Sequence, residues 1–148
     1  MQKTFIKVRS VKDITIFSSL IIIGGVLLAL PTGAAVNITG FFLIFAGLIL
    51  AFVMKSGYKD METGVKYLKK ERYFQQAMNQ AISSAIASKP ESVDLSEEDK
   101  GNAIRLDIYF SRSADKSYVQ LFEYIPYKYE PCSGMYEYEI ARVVNLIK

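Results

Sequence analysis

Residues 14–54 read ITIFSSLIIIGGVLLALPTGAAVNITGFFLIFAGLILAFVM and contain no charged side chain across 41 consecutive positions. A single helix of that length would be about 60 Å long at 1.5 Å per residue, about twice the thickness of a hydrocarbon core. A Pro-Thr-Gly sequence at 31–33 interrupts the segment with a turn signal. The sequence therefore predicts a transmembrane helical hairpin, with helices at 14–30 and 36–54 and a turn at 31–35.

Basic residues flank this uncharged segment on both sides. Four lie within residues 1–13, and six lie within residues 55–72. Because cytoplasmic loops carry an excess of lysine and arginine, this distribution predicts a basic cytoplasmic N-terminus over 1–13, with both termini in the cytoplasm. An integral protein of the cell inner membrane is expected. The alternative is a secretory signal peptide that ends in the small residues at 33–35, but a second apolar segment follows at once, and cleavage would leave the basic residues on the wrong side.

Small residues recur four positions apart in both predicted helices, which lets helix backbones approach closely. We expect them to pack the two helices against each other, with self-association between copies as the alternative. No ionisable side chain lies within either predicted helix, so the hairpin alone offers no ion pathway or proton relay. The predicted helix-packing residues are Gly25, Ala29, Gly33, Gly47 and Ala51.

Residues 55–87 contain no proline and are rich in lysine, glutamate, glutamine, methionine and alanine, which favours a helix. Apolar residues recur at helical spacing, and the apolar stripe changes face near Arg72. We therefore expect a juxtamembrane amphipathic helix whose basic half binds anionic lipid headgroups, with a solvated helix face as the alternative. The residues expected at the headgroups are Lys55, Lys59, Lys66, Lys69, Lys70 and Arg72.

An acidic segment at 88–101 has almost no apolar content and predicts an exposed linker. A small α+β domain is expected over 102–148. Apolar and polar residues alternate from Ile104 to Phe110, which is typical of a half-buried strand, and a second strand of a hairpin is predicted up to Pro126. At the far end, the spacing of apolar residues predicts a strand that passes into a short terminal helix. The predicted fold class is thus a membrane protein with an N-terminal two-helix hairpin, followed by a cytoplasmic α+β domain of one long helix, about three antiparallel strands and a short C-terminal helix.

The segment LFEYIPYKYEPCSGMYEYE at 121–139 contains five tyrosines. Tyrosine buries a large ring while keeping a wet hydroxyl, so it suits both a thin core and a binding surface. One interpretation is structural, and the other is an acidic, aromatic surface that fits a basic partner. The predicted partner-binding residues are Tyr124, Tyr127, Tyr129, Glu130, Tyr136 and Tyr138.

The composition argues against catalysis. The chain has no histidine, and its only cysteine, Cys132, lies in a predicted loop with Lys128 as the nearest cation in sequence. A paired-carboxylate role for Glu137 and Glu139 lacks a predicted pocket, so we expect a solvated edge there. We expect no cofactor and no metal. A net charge of +3 is too small to indicate nucleic-acid binding.

These observations predict a non-enzymatic, membrane-anchored protein-interaction module that acts as an accessory or regulatory subunit of a membrane complex. Its expected partners are anionic lipid headgroups and a protein, with a homo-oligomer as a further option. Two alternatives remain open. One is an immunity or inhibitor protein that protects against a membrane-active toxin, and the other is a subunit of a lipid-handling enzyme.

Overall fold

Two units make up the chain. One contains residues 7–57, and the other joins the residues up to Ile6 with Tyr58–Lys148; we call the second unit the sheet domain. The computed structural model describes residues 2–148. The first unit contains helices α1 (Val11–Ala29) and α2 (Ala34–Val53), both long enough and apolar enough to span a membrane. The two predicted apolar helices are thereby confirmed as helices.

Helix α1 begins three residues earlier than the apolar segment because Ser10 caps it. The Ser10 hydroxyl accepts a hydrogen bond from the Asp13 N–H at 3.2 Å, and the Asp13 carboxylate accepts one from the Ser10 N–H at 2.9 Å. This reciprocal pair is a capping box. Asp13 is only 1% exposed, and its carboxylate also accepts hydrogen bonds from the Ser56 N–H at 2.7 Å and the Ser56 hydroxyl at 2.6 Å. One carboxylate therefore joins the start of α1 to the segment that follows α2.

Glycines set the closest approach of α1 and α2. A Cβ atom added at Gly24 would lie 2.5 Å from the Gly40 carbonyl oxygen, and one at Gly47 would lie 2.7 Å from the Ile21 side chain. In contrast, no atom lies within 4 Å of a Cβ built at Gly25 or at Gly33. Of the predicted packing glycines, Gly47 lies at the contact between the two helices, whereas Gly25 and Gly33 lie outside it. Gly24 and Gly40 form the closest contact. The face of α1 that packs against α2 therefore contains Gly24, the residue before the predicted Gly25. Of the two alanines, Ala29 is exposed and Ala51 is half-buried.

An antiparallel sheet dominates the second half of the chain. Within residues 2–148 the strand order is β1-β2-β3-β4-β5-β6, and β7 also pairs with β5. The pairs β2–β3, β3–β4, β4–β5, β5–β6 and β5–β7 are all antiparallel. The strand bounds are β1 Phe5–Val8, β2 Gly57–Asp60, β3 Lys66–Phe74, β4 Ile104–Ser111, β5 Lys116–Ile125, β6 Lys128–Pro131 and β7 Tyr136–Tyr138.

The long helix predicted over residues 55–87 does not form. Strands β2 and β3 occupy its first part, and a helix, α3, covers only Asn79–Ser88. The seven residues from Leu68 to Phe74 pair with β4, from Phe110 to Ile104. Helix propensity is a weak preference that tertiary contacts override, and this cross-strand pairing outweighs it here. The predicted hairpin of β4 and β5 and the predicted C-terminal helix, α4 (Ile140–Ile147), are confirmed.

The hydrophobic core lies on one face of the sheet, under α3 and α4. Its fully buried side chains include Phe74, Ile82, Ile86, Ile104, Leu106, Ile108, Leu121, Val143 and Leu146. The acidic segment at 88–101 is not a free linker, because short 3-10 turns at Pro90–Ser92 and Leu95–Glu97 bring Pro90 and Val93 into buried positions. Burial of Pro90 and Val93 therefore holds this segment against the sheet domain, although its composition predicts an exposed linker.

A second, aromatic cluster holds the N-terminal residues of the sheet domain. The Phe5 ring stacks on Tyr109 with centroids 4.2 Å apart and contacts Tyr67 edge-on at 5.4 Å. Nearby, the buried Asp60 carboxylate accepts hydrogen bonds from the Glu62 N–H at 2.9 Å and the Thr63 hydroxyl at 3.0 Å. The Lys3 ammonium lies 3.4 Å from the same carboxylate. Burial alone would raise the pKa of Asp60, but these hydrogen bonds and Lys3 outweigh it, so its pKa lies below the ordinary value of 3.8.

The lowered pKa of Asp60 predicts part of the acid sensitivity of the protein. A carboxyl whose pKa is lower in the folded than in the unfolded state stabilises the fold above its unfolded pKa, and this stabilisation is lost as the pH falls through the folded pKa. In Asp60→Asn the melting temperature should therefore fall less steeply than in the wild type as the pH drops below about 4. Circular dichroism melts of the detergent-solubilised chain between pH 7 and pH 2 measure this. Equal slopes in the two proteins would contradict it.

Candidate functional site

Side chains alternate between the two faces of each strand, so the sheet domain has a second face opposite α3 and α4. We call it the polar face. Paired residues of β3, β4 and β5 form three rows across the polar face. These rows are Tyr73, Arg105 and Phe122; then Glu71, Asp107 and Gln120; then Lys69, Tyr109 and Tyr118.

Arg105 is a cation of the polar face that contacts one carboxylate and two aromatic rings. Its Nε and Nη2 atoms donate to the two carboxylate oxygens of Asp107 at 2.7 and 2.9 Å, a bidentate geometry. The guanidinium carbon lies 4.9 Å from the Phe122 ring centroid and 4.6 Å from that of Tyr129. Both distances are within the range of cation–π attraction. Two rings and one carboxylate therefore fix the orientation of this side chain.

Asp107 forms the centre of an ion-pair network. Its side chain is 1% exposed, and Lys69 Nζ lies 3.2 Å from one carboxylate oxygen and 2.8 Å from the Glu71 carboxylate. Burial raises the pKa of Asp107, while the charges of Lys69 and Arg105 oppose that change. Burial would lower the pKa of Lys69, but Glu71 and Asp107 outweigh it and raise that pKa. The ion pairs of Lys69 and Arg105 with the carboxylates of Glu71 and Asp107 thus stabilise the polar face.

An open groove of about 630 Å³ borders the first row. The rings of Tyr73 and Tyr129 line it, with centroids 6.3 Å apart at an interplanar angle of 62°. The Tyr129 hydroxyl donates to the Asn102 carbonyl oxygen at 2.8 Å, which fixes that ring. A Cβ at Gly101 would lie 3.0 Å from the Gln75 Cβ and 3.1 Å from its Cα, a close contact that Gln75 would have to relieve by shifting. Asp99 completes the lining, and two aromatic rings beside a carboxylate form a surface that suits a cationic group.

The six residues predicted to bind a partner do not form one surface. Tyr124, Tyr127, Tyr129 and Glu130 lie on the hairpin of β5 and β6, and Glu130 pairs with Lys128 at 2.7 Å. The other two, Tyr136 and Tyr138, lie on β7 and pack against the hydrophobic core. The Tyr138 hydroxyl donates to the Ile86 carbonyl oxygen. Tyr136 and Tyr138 are thus separated from the other four along β5, since β7 pairs with β5 at 117–119 whereas β6 pairs with it at 122–125. A role of the six residues in partner binding stays a prediction.

Two of the six residues predicted to bind lipid headgroups are built into the sheet domain. Lys69 belongs to the network around Asp107, and Arg72 is buried, with only 6% of its surface exposed. Among the others, Lys55, Lys59 and Lys66 are exposed and Lys70 is half-buried. Strand β3 places Lys69 on the polar face beside Asp107 and Arg72 on the opposite face beside the end of α4.

Cys132 is half-buried, and its N–H donates to the Leu121 carbonyl oxygen at 2.9 Å. Burial raises the pKa of its thiol, and the negative charge of Glu123 adds to this. A protonated thiol is a poor nucleophile. Glu137 lies 3.6 Å from Lys116, and both line a small pocket of about 370 Å³ with Glu139. Within residues 2–148, no three His, Cys, Asp or Glu side chains lie close enough together to hold a metal ion.

Sequence reasoning missed Tyr73, Arg105 and Phe122 as members of a possible site. The alternation along β4 was a signal that Arg105 faces away from the core, but it did not show which side chains flank it. Those neighbours come from β3, which the sequence assigned to a helix, and from the register of β5. No protein-family model, curated protein or solved structure matches this chain.

Proposed function

We propose that this protein is a non-enzymatic, membrane-anchored interaction module, an accessory or regulatory subunit of a membrane complex. Helices α1 and α2 would anchor it, with the basic flanking segments and both termini on the cytoplasmic side of the inner membrane. The polar face of the sheet domain would bind a protein partner. The observation that carries the proposal is the groove formed by Tyr73, Tyr129 and Asp99 beside the ordered Arg105.

The composition of the groove supports binding. Tyrosine and arginine are enriched at the centres of protein interfaces, where they contribute most of the binding energy. Here the Tyr129 ring is held by its hydrogen bond to Asn102, and Arg105 is held by Asp107. Side chains that are ordered before binding lose less conformational entropy when a partner arrives, which favours affinity.

The charges of the groove indicate the kind of partner. Arg105 is neutralised by Asp107, whereas Asp99 lines the groove directly. A lysine or arginine side chain of the partner would pack against the groove-facing side of the Tyr73 and Tyr129 rings and approach Asp99, which combines cation–π and ionic attraction. The expected partner is therefore a membrane-associated protein that presents a basic side chain on an exposed segment.

Photo-crosslinking in the native membrane tests this proposal. A benzophenone amino acid placed at Tyr124, which is 51% exposed and lies beside Tyr129, should form a crosslink with one protein. Loss of a central aromatic residue costs about 2 kcal/mol or more, so Tyr129→Ser should reduce the crosslinked yield by about tenfold or more. Asp99→Asn should also reduce it, because it removes the carboxylate that attracts the basic side chain.

The matched control is Ser113→Ala, which changes an exposed residue of the loop between β4 and β5, at the opposite end of the strands. It should leave the crosslink intact. No crosslink at Tyr124, or an equal yield with Tyr129→Ser, would overturn the proposed role of the groove.

A further inference from the structure

The turn between β5 and β6 exposes an aromatic side chain at a strained backbone position. Ile125 and Lys128 are paired across the hairpin, so Pro126 and Tyr127 form a two-residue turn. Tyr127 has φ = 75°, in the left-handed region. With proline at the first central position, a positive φ at the second is the arrangement of a type II turn, in which glycine or asparagine is favoured. Tyrosine is an unfavourable choice there because its Cβ crowds the backbone.

The Tyr127 side chain does little for the fold. It is 97% exposed, more than any other large hydrophobic side chain of the described residues. Strain is retained when the strained residue serves another purpose. A ring that contributes almost no burial at a position that prefers glycine points to a role outside the sheet domain.

The composition of the turn indicates what it binds. The run Ile125, Pro126 and Tyr127 has no charge, and Ile125 is 37% exposed. An uncharged, aromatic, convex tip next to a lysine matches the interface between lipid headgroups and acyl chains, where tyrosine rings bury their apolar body and keep the hydroxyl wet. Lys128, whose side chain is 67% exposed and lies 2.7 Å from Glu130, adds a cation beside the tip at the depth of the phosphate groups.

The chain keeps the sheet domain close to any membrane that α2 spans. Only three residues, 54–56, separate the end of α2 from the start of β2. Three extended residues reach at most about 11 Å. The start of β2 therefore stays close to the bilayer, and binding of a tip elsewhere on the domain is an intramolecular step.

We infer that the β5–β6 turn is a membrane-docking tip, whose Ile125 and Tyr127 side chains insert into the interfacial layer of the bilayer that anchors the protein. This inference rests on the anchoring part of the proposed function and is independent of the partner groove. A tip in the lipid and a helical anchor would attach the sheet domain to the membrane at two points. The two attachments would fix the orientation of the polar face toward its partner.

The absence of tryptophan from the sequence gives a direct test, because a substituted tryptophan is the sole indole in the protein. The full chain is placed in nanodiscs of phosphatidylcholine and phosphatidylglycerol, with or without brominated acyl chains that quench nearby indoles. Tyr127→Trp should lose most of its fluorescence in brominated discs, and its emission maximum should lie at a shorter wavelength than in detergent-free, denaturing buffer. Ser113→Trp, at the opposite end of the strands, should keep its fluorescence.

Phe45→Trp, in the middle of α2, separates the two proposals. Quenching at 45 without quenching at 127 overturns the docking tip and leaves the anchor intact, whereas no quenching at 45 overturns the anchor itself. Tyr127→Gly supplies an independent measurement, because glycine adopts a φ of 75° without steric cost. It should raise the melting temperature in detergent. A lower melting temperature would show that the ring serves the fold, and would overturn the inference.

Discussion

Replacing Arg72 with alanine is expected to lower the free energy of unfolding of the sheet domain by about 3–5 kcal/mol, the cost of breaking a buried ion pair from one side. The guanidinium donates to the Leu146 carbonyl oxygen at 2.6 Å and to the Lys148 carbonyl oxygen at 2.9 Å, and it also pairs with Glu98. Three elements meet at this one side chain: β3, the segment with the 3-10 turns, and the end of α4. Without it, two carbonyl oxygens lose their donors, and α4 loses a cation at its C-terminal end, where the helix dipole favours positive charge.

The measurement is a thermal melt of the full chain in detergent, followed by near-ultraviolet circular dichroism of the tyrosines. Lys66→Ala is the matched control, since Lys66 lies on the same strand and is exposed. It should change the free energy of unfolding by no more than about 0.5 kcal/mol. Arg72→Lys should lose most of the stability as well, because an ammonium cannot reach three acceptors in the fork geometry of a guanidinium. A melting temperature of Arg72→Ala equal to that of Lys66→Ala would contradict the expectation.

The two membrane-type helices could be predicted because their signal is local. About 20 consecutive apolar residues define such a helix regardless of what the rest of the chain does. The exact buried face could not be predicted, because the four-residue spacing of small residues favours Gly25, whereas the position of α2 brings Gly24 into the contact. The same holds for the start of α1, which depends on the cap formed by Ser10 and Asp13.

Strand β3 could not be predicted, because its sequence of charged and apolar residues indicates a strand only once its pairing with β4 is known. Read alone, its lysines and glutamate suggest a solvated helix. In the fold, Lys69 and Glu71 meet Asp107 across the sheet, and Arg72 meets the end of α4. Charged residues that are buried through partners far along the chain carry no local signal. The candidate site depends on this strand through Tyr73, so it was missed for the same reason.

Replacing Gly24 with valine is expected to disrupt the packing of α1 against α2, whereas the same substitution at the next residue should not. A Cβ at Gly24 would lie 2.5 Å from the Gly40 carbonyl oxygen, 2.7 Å from the Ile44 side chain and 2.9 Å from the Ile44 backbone nitrogen. Two of these atoms belong to the backbone and cannot rotate away. Forcing atoms into a packed contact costs about 1–3 kcal/mol, and the upper end or more is expected where backbone must move. The helices should separate, and the melting temperature of the helical signal should fall.

Gly25→Val is the matched control, since no atom lies within 4 Å of a Cβ at that position. Valine is also a better helix former than glycine, so this variant should match or slightly exceed the wild type in stability. Far-ultraviolet circular dichroism melts in mild detergent, with size-exclusion chromatography of each variant, measure both effects. If Gly25→Val were as damaging as Gly24→Val, the outward face of α1 would have to be engaged by something other than α2. A change of oligomeric size in that variant alone would assign the face to contacts between copies, because close approach of small residues is what brings two such helices together.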